Sequence, residues 1–387
     1  MPGAMDGVRI LDLTSVGMGP MATQMLGDMG ADVIKIESAA GDVFRHVTPQ
    51  RHTGMSHAHL NLNRNKRSVV LDIKSPAGRE QLERLLEGAD VFISNMRAPA
   101  MRRLGLDYAT LQARYPRLVY CACYGYSEAG PYAGRAAIDD TIQAVSGLAW
   151  LQGGAGQQAP HYVNAVMADK VVALYVANAV ACALYARERT GQGQSVEVPM
   201  FECMAAFMLP EHLAGLTFVP PEGGAGYARL LNPYRRPFRT RDGYLSVVPY
   251  TDTQWRRFFD LAGAPEMAED PRYRTLNSRS RHFPELYGFV ESTLPAHSTA
   301  EWVSLLTQAD IPFAPVNSIA DLLDDPHLAA TGFWHKSEHP TEGTLVQPGI
   351  PVRFSRTPGS IRRHAPTLGE HTEEVLDELE RNRSERN

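Results

Sequence analysis

The sequence predicts an α/β chain: a large domain on a doubly wound, parallel, Rossmann-like sheet, and a smaller α+β domain after it. Three observations predict it. Short apolar runs alternate with helical stretches through about the first 200 residues, which is the pattern of βαβ units. A Gly/Pro turn follows the first apolar run, as a strand-to-helix corner needs. The densest Gly/Pro cluster, Pro220-Pro-Glu-Gly-Gly-Ala-Gly226, comes where that alternation stops.

Val8-Arg-Ile-Leu-Asp-Leu13 reads as a strand, Met21 to Met29 as a helix, and Ala31-Asp-Val-Ile-Lys-Ile-Glu37 as the second strand. Ser68-Val-Val-Leu-Asp-Ile73 is a third strand, followed by a helix from Ser75 to Glu87 that Pro76 opens, because a proline in the first turn loses no hydrogen bond. Val91-Phe-Ile-Ser94 and Leu118-Val-Tyr-Cys-Ala-Cys123 continue the sheet, and Ser195-Val-Glu-Val198 returns to it after a long apolar helix ending near Arg189. Beyond the Gly/Pro cluster, Phe238 to Val248 reads as a hairpin turning at Asp242-Gly243. Helices follow at Asp252 to Leu261 and Ser298 to Gln308, the latter with Trp302, Leu305 and Leu306 at helical spacing. The charged tail from Arg381 is expected to fray. The resulting division is 1–200 plus 325–387 for the large domain and 201–324 for linkers and the small one.

The 387 residues are 44% hydrophobic and 21% charged, a composition that excludes wholesale disorder. Cys121, Cys123, Cys182 and Cys203 lie in apolar surroundings, which suits free thiols in a reducing, cytoplasmic compartment. No basic segment followed by an apolar core opens the chain, and the apolar run Val171 to Tyr185 contains Asn178 and is short for a membrane span. A net charge of −5 gives no overall attraction for nucleic acid. No membrane or nucleic-acid partner is therefore expected.

Several chemistries are tempting. Gly17-Met-Gly19-Pro-Met-Ala22 fits G-x-G-x-x-A, and Glu37 lies at the range of a ribose-binding acid, but Thr14-Ser-Val16 separates the strand from the first glycine, so the dinucleotide reading is loose. His52, His57 and His59 cluster with no acidic or thiol ligand at metal-site spacing and read as a solvated loop, so no metal is expected. There is no Gly-x-Ser-x-Gly elbow, Walker loop or Cys-x-x-Cys pair. That favours a nucleophile needing no activating base, and a carboxylate with an ordinary pKa of about 4 is already ionised at neutral pH. Asp169, at the mouth of the long apolar helix, is the candidate. The competing reading is a helix cap, since Asp is strongly preferred at helix starts.

The segments Gly7-Val-Arg-Ile-Leu-Asp-Leu-Thr14, Gly30-Ala-Asp-Val-Ile-Lys-Ile-Glu37, Asn63-Arg-Asn-Lys-Arg-Ser68, Gln143-Ala-Val-Ser-Gly147, Arg187-Glu-Arg-Thr-Gly-Gln-Gly193, Asp310-Ile-Pro-Phe-Ala-Pro-Val316 and Ala365-Pro-Thr-Leu-Gly-Glu-His371 resemble the class III coenzyme A transferases. That family includes the formyl-CoA and carnitine-type transferases and is related to acyl-CoA racemases. The resemblance spans nearly the whole chain and places the family's catalytic aspartate on Asp169. It implies transfer of CoA from an acyl-CoA donor to a carboxylic acid through an aspartyl anhydride and an aspartyl-CoA thioester, with CoA as substrate and no resident cofactor. It also implies an interlocked homodimer.

By position, the family's CoA contacts fall on Val16, Gly17, Met18, Leu71, Asp72, Ile73, Lys74, Asn95, Met96, Arg97, Arg103, Ala136 and Asp139. The chain departs from the family in places. Ser38 stands where an Arg is often found, Ala136 where the formyl-CoA branch has Lys, and Asn232-Pro-Tyr-Arg-Arg-Pro-Phe238 where that branch has a glycine-rich cover. Ile138 stands in the neighbourhood where the racemase branch carries a His, so a two-base proton shuttle lacks one partner. Racemisation and CoA binding without turnover are the alternative readings. Arg235 and Arg236 are candidates for an acceptor carboxylate or for surface ion pairs. Loops at 45–60 and 220–240 are expected to choose the acids.

Overall fold

The computed structural model describes residues 1–384. It divides into two compact units: residues 1–149, 162–208 and 327 onward form the first, and 150–161 with 209–326 the second. In chain order the elements up to the Gly/Pro cluster are β1 (Arg9–Leu13), α1 (Met18–Asp28), β2 (Asp32–Glu37), α2 (His57–Leu62), β3 (Lys66–Val70), α3 (Pro76–Glu87), β4 (Val91–Ser94), α4 (Ala98–Arg103), α5 (Tyr108–Arg114), β5 (Val119–Tyr124), α6 (Asp139–Val145), α7 (Leu148–Gln152), α8 (Met167–Thr190), β6 (Ser195–Pro199) and α9 (Met200–His212).

The six strands form one parallel sheet in the order β3-β2-β1-β4-β5-β6. Its middle strands are buried along their length because helices cover both faces, which is why Val91-Phe-Ile-Ser94 is apolar without alternation. One core, including Ile10, Val33, Ile93 and Cys121, packs under α1 and α8. The other, including Leu11, Ile34, Phe92 and Tyr120, packs under α3 and the C-terminal helix. Strand order reverses between β1 and β4, and the carboxyl ends of those strands open the crevice where ligands bind in such sheets.

Local chemistry explains where the elements begin and end. Ser75 accepts the Gly78 N–H at 3.1 Å as the cap of α3. Helix α1 starts at Met18, three residues before the expected Met21, with Gly17 as its cap. Strand β3 ends at Val70, so Leu71 to Lys74 form a turn instead of finishing the expected strand. Helix α8 runs 24 residues, longer than its apolar core suggests, and is the one helix among the described residues with the length and composition to cross a membrane. Half of it is buried: Val172, Ala173, Val176 and Val180 are fully enclosed in the first core, as in a core helix.

The second unit holds β7 (Phe238–Arg239), β8 (Tyr244–Val247), α10 (Asp252–Leu261), α11 (Leu276–Arg279), α12 (Phe283–Thr293), α13 (Thr299–Gln308) and β9 (Phe313–Pro315). Its three strands pair antiparallel, with the hairpin turning through Asp242-Gly243. Thr251 and Ser298 cap α10 and α13 in reciprocal boxes with Gln254 and Glu301. Trp255, Phe258 and Trp302 fill its core, and the Trp302 indole N–H donates to the Leu294 carbonyl at 2.7 Å.

After α14 (Pro326–Ala330), the chain forms an antiparallel hairpin, β10 (Trp334–His339) and β11 (Gly343–Pro348), and ends in α15 (Thr372–Ser384). The charged tail is thus helical past Arg381, because Glu374 and Glu378 anchor α15 to Arg67 at 3.1 and 2.7 Å; the expected fraying beyond Ser384 lies outside the described residues.

Candidate active site

The turn after β1, at the reversal of strand order, is tied down at successive residues. Asp12, the buried polar residue of β1, accepts the Thr14 N–H at 2.9 Å and the Thr23 hydroxyl at 2.6 Å, and its charge pairs with Lys66 at 3.0 Å. Burial opposes that charge, but Lys66 and Lys35 outweigh it and hold the carboxyl well below the usual range. Ser15 is gripped from β4: the Asn95 side-chain NH2 donates to its carbonyl at 2.8 Å, and the Asn95 side-chain oxygen accepts its N–H at 3.1 Å. Val16 follows with φ at 71°, a conformation a β-branched residue rarely adopts.

Gly17 comes next and lies against Asp169. A Cβ there would sit 2.3 Å from Asp169 Oδ2, so only glycine admits the carboxylate this close. Asp169 is the third residue of α8, not its cap: its side chain accepts no hydrogen bond among the described residues. The cap comes instead from α6, where Asp139 Oδ1 accepts the Asp169 N–H at 2.9 Å. Asp139 Oδ2 accepts from the Gln143 side-chain NH2 at 2.6 Å, and the Gln143 oxygen accepts the Val163 N–H at 2.9 Å, which fixes the approach to α8. Asp169 is 8% exposed, and burial, with Asp139 second, pushes its carboxyl up to about 7. The sequence-based expectation of an ordinary, fully ionised carboxylate is therefore corrected: near neutrality the group carries a proton part of the time.

The residues matched to CoA contacts are only partly brought together. Val16, Gly17 and Met18 form the turn at Asp169. Asn95, Arg97 and Ala136 line a cavity of about 250 Å³ beyond the carboxyl ends of β4 and β5, with Tyr124, Tyr126 and Arg135. Arg135, resting on the Tyr132 ring at 4.2 Å, is a cation at that cavity that the motif comparison did not single out. Met96 is half-buried beside them, with its N–H donated to the Ser94 hydroxyl at 3.1 Å. Leu71, Asp72, Ile73 and Lys74 lie at the end of the edge strand β3, outside that cavity's lining, and Arg103 ends α4. Lys74 and Arg103 are exposed cations without a protein partner among the described residues. Asp139 is buried with both oxygens bonded inside the protein.

The competing sites fare differently. Glu37 is locked in a buried pair with Arg45 at 2.7 Å and accepts from Ser68 at 2.7 Å, so it is not available to a ribose. His59 is not part of a solvated loop: it is fully buried in α2, with its ring on the Pro366 carbonyl at 2.9 Å, and burial holds its pKa down to about 3. His52 and His57 are exposed. No group of three or more metal-capable side chains assembles among the described residues. In the second unit Arg235 and Arg236 both line a cavity of about 250 Å³ with Arg229 and Tyr287, and Arg236 also pairs with Glu291 at 2.6 Å.

Comparison with known proteins decides the family. The family described as CoA-transferase family III matches residues 5–372. The chain belongs to CoA-transferase family III. It is 32% identical to succinyl-CoA:glutarate CoA-transferase of Mus musculus over 379 residues, covering 97% of this chain and 86% of that protein. It is equally similar, at 32%, to succinate–glutarate CoA-transferase of Agrobacterium fabrum, with 97% and 96% covered. A formyl-CoA:oxalate CoA-transferase of Afipia carboxidovorans is 30% identical, with 98% and 94% covered. Among solved structures, a CAIB/BAIF family protein from Brucella suis superposes with a TM-score of 0.82 at 30% identity, covering 98% of this chain and 100% of that one. Family membership makes this chain a CoA-transferase.

Proposed function

We propose that the protein transfers CoA from an acyl-CoA to a carboxylic acid through covalent intermediates on Asp169. The observation that carries this is the carboxylate itself: buried, free of hydrogen bonds among the described residues, and pressed against Gly17. Asp169 attacks the donor thioester carbonyl and expels CoA thiolate, which leaves a mixed anhydride. The thiolate then attacks the aspartyl carbonyl and releases the donor acid, giving aspartyl-CoA. The acceptor carboxylate displaces CoA thiolate to form a second anhydride, and the thiolate attacks its acyl carbon to release the new thioester and free Asp169. Each step exchanges groups of similar activation, so no ATP is consumed. Burial shields the anhydrides from water.

Arg97 and Arg135 at the cavity beside Asn95, with Lys74 beyond β3 and Arg103 at the end of α4, support the binding of a phosphate-bearing ligand. Because the Asn95 side chain grips Ser15 and the Asp139 carboxylate caps the start of α8 at the Asp169 N–H, Asn95 and Asp139 act in this reading by holding the site instead of by contacting CoA. The relatives named for succinyl-CoA with glutarate or malate favour short dicarboxylic acids as partners. Racemisation is disfavoured by Ile138, which is 63% exposed and offers no base. The test is an oxygen trace. With an acceptor acid labelled with heavy oxygen in its carboxylate, one labelled oxygen appears in Asp169 after a turnover, read by peptide mass. Turnover that leaves Asp169 unlabelled contradicts the route.

We further place the transferase in the cytoplasm as a homodimer. Leu174, Tyr175 and Tyr185 on α8 and Phe207 on α9 are 57%, 39%, 67% and 50% exposed, large apolar side chains of the kind that another chain covers. Sedimentation equilibrium is expected to return twice the 42.6 kDa chain mass; a monomer at micromolar concentration contradicts it. Cell fractionation checks the compartment, and recovery outside the cytoplasmic fraction contradicts that assignment.

A further inference from the structure

We propose that Asp42 is a positioning residue for the reaction: its carboxylate holds Val16 in the left-handed conformation and thereby sets Gly17 against the Asp169 carboxylate. The inference rests on Asp169 as the nucleophile. Asp42 follows β2 and lies 26 residues from Val16 in sequence, yet its Oδ1 accepts the Val16 N–H at 3.0 Å. The same oxygen accepts the Phe44 N–H at 3.0 Å, and Oδ2 accepts from the Lys35 ammonium at 3.0 Å. Asp42 is itself fixed, because its N–H donates to Glu37 Oε1 at 3.1 Å, and Glu37 is held by Arg45.

The turn has three successive anchors, and they differ in what they hold. Thr14 is tied by Asp12 and by Lys35, whose ammonium donates to the Thr14 carbonyl at 2.8 Å. Ser15 is tied by Asn95 on both sides of its backbone. At Val16 the anchor is Asp42, and Val16 is the residue whose backbone is strained. A β-branched side chain at φ 71° relaxes toward negative φ unless something over-determines it. Such a rotation swings the next peptide, and the next residue is Gly17, on which the carboxylate of Asp169 rests. Lys35 and Asp42 are both essentially unexposed, so the pair keeps its geometry without competition from water. Burial opposes the charge on Lys35, but Asp12, Asp42 and Glu37 outweigh it and keep the ammonium protonated.

The test is a double-mutant cycle between Asp42 and Val16. Asp42→Asn keeps the shape and removes the charge opposite Lys35; Asp42→Glu keeps the charge and displaces the oxygen. Either is expected to lower kcat about 10- to 100-fold with KM for acyl-CoA within about threefold, as for a reacting group moved by a fraction of an ångström. In a Val16→Gly background, where the left-handed conformation needs no support, the same Asp42 change is expected to lower kcat less than about threefold. If Asp42→Asn fails to fold, Asp42→Glu retains the buried ion pair and carries the test. An unchanged kcat in a folded variant, or the same loss in both backgrounds, overturns the proposal. The wild-type acyl-CoA adduct separates the two readings. If it forms on Asp169 while the Asp42 variants transfer normally, the positioning role alone is wrong; if no adduct forms on Asp169, the nucleophile reading falls and this proposal with it.

Discussion

Asp169→Asn is expected to abolish CoA transfer, by at least about 10⁴-fold, because an amide cannot form the anhydride and removing a covalent nucleophile has effects of that order or larger. The same change stabilises the fold. Burial and Asp139 hold the folded carboxyl at about 7 against an ordinary 3.8, so the folded state binds more protons than the unfolded one between those values. Wild-type stability is thus expected to fall as pH rises from about 4 to about 7. A shift of this size corresponds to at most about 4 kcal/mol, and the buried Asn amide, also lacking a partner, returns part of it. Denaturant melts at pH 8 are expected to show Asp169→Asn more stable by about 1 to 4 kcal/mol, with the gain gone at pH 4. Equal stability at both pH values contradicts the buried, proton-hungry carboxylate.

Gly17→Ala is the second large effect. The φ of Gly17 is −106°, which any residue tolerates, so the substitution strains nothing in the backbone. Its Cβ instead falls 2.3 Å from Asp169 Oδ2 and 3.1 Å from Cγ, and the carboxylate must turn away. Displacing a nucleophile by about 1 Å costs on the order of 100-fold, so kcat is expected to fall by about that factor while the melting temperature stays within a few degrees. Steady-state kinetics beside a thermal melt checks it. Full activity in the variant shows that the Gly17 contact is not needed for the chemistry, and a collapse in stability shows that it is structural.

These effects sit on a fold that was largely readable from patterning. Val91 to Ser94 and Asp252 to Leu261 have the bounds that apolar content and helical spacing predict. A short apolar run between turns suits a strand covered on both faces, and the Thr251 cap marks its helix from the first turn. The β10–β11 hairpin was not legible. Trp334-His-Lys-Ser-Glu-His339 is polar on both faces, so no alternation distinguishes it from a loop.

The site divides in the same way. Asp169 and the Gly17 turn stood out through family resemblance and the Gly/Pro corner, because short motifs preserve local geometry. Asp42 and Arg135 did not, since one works across 26 residues of sequence and the other at a cavity wall that only folding assembles, and the motif at Gln143 gave no hint of its bond to Val163. The basic run Asn63 to Ser68 misleads on composition alone. Charged residues are rarely enclosed, yet Lys66 is fully buried between Asp12 and the Pro20 carbonyl, and Arg64 pairs with Asp28 at 2.7 Å. The paired carboxylates of β1 and α1 make that run an interior.

The most direct test of Asp169 as the nucleophile is intact-mass measurement of the protein mixed with a panel of short acyl-CoAs, with and without hydroxylamine, beside Asp169→Asn. A CoA-mass adduct is expected on the wild type that maps to Asp169, disappears with hydroxylamine and is absent from the variant. Transfer activity without any adduct, or an adduct that persists in Asp169→Asn, would contradict it.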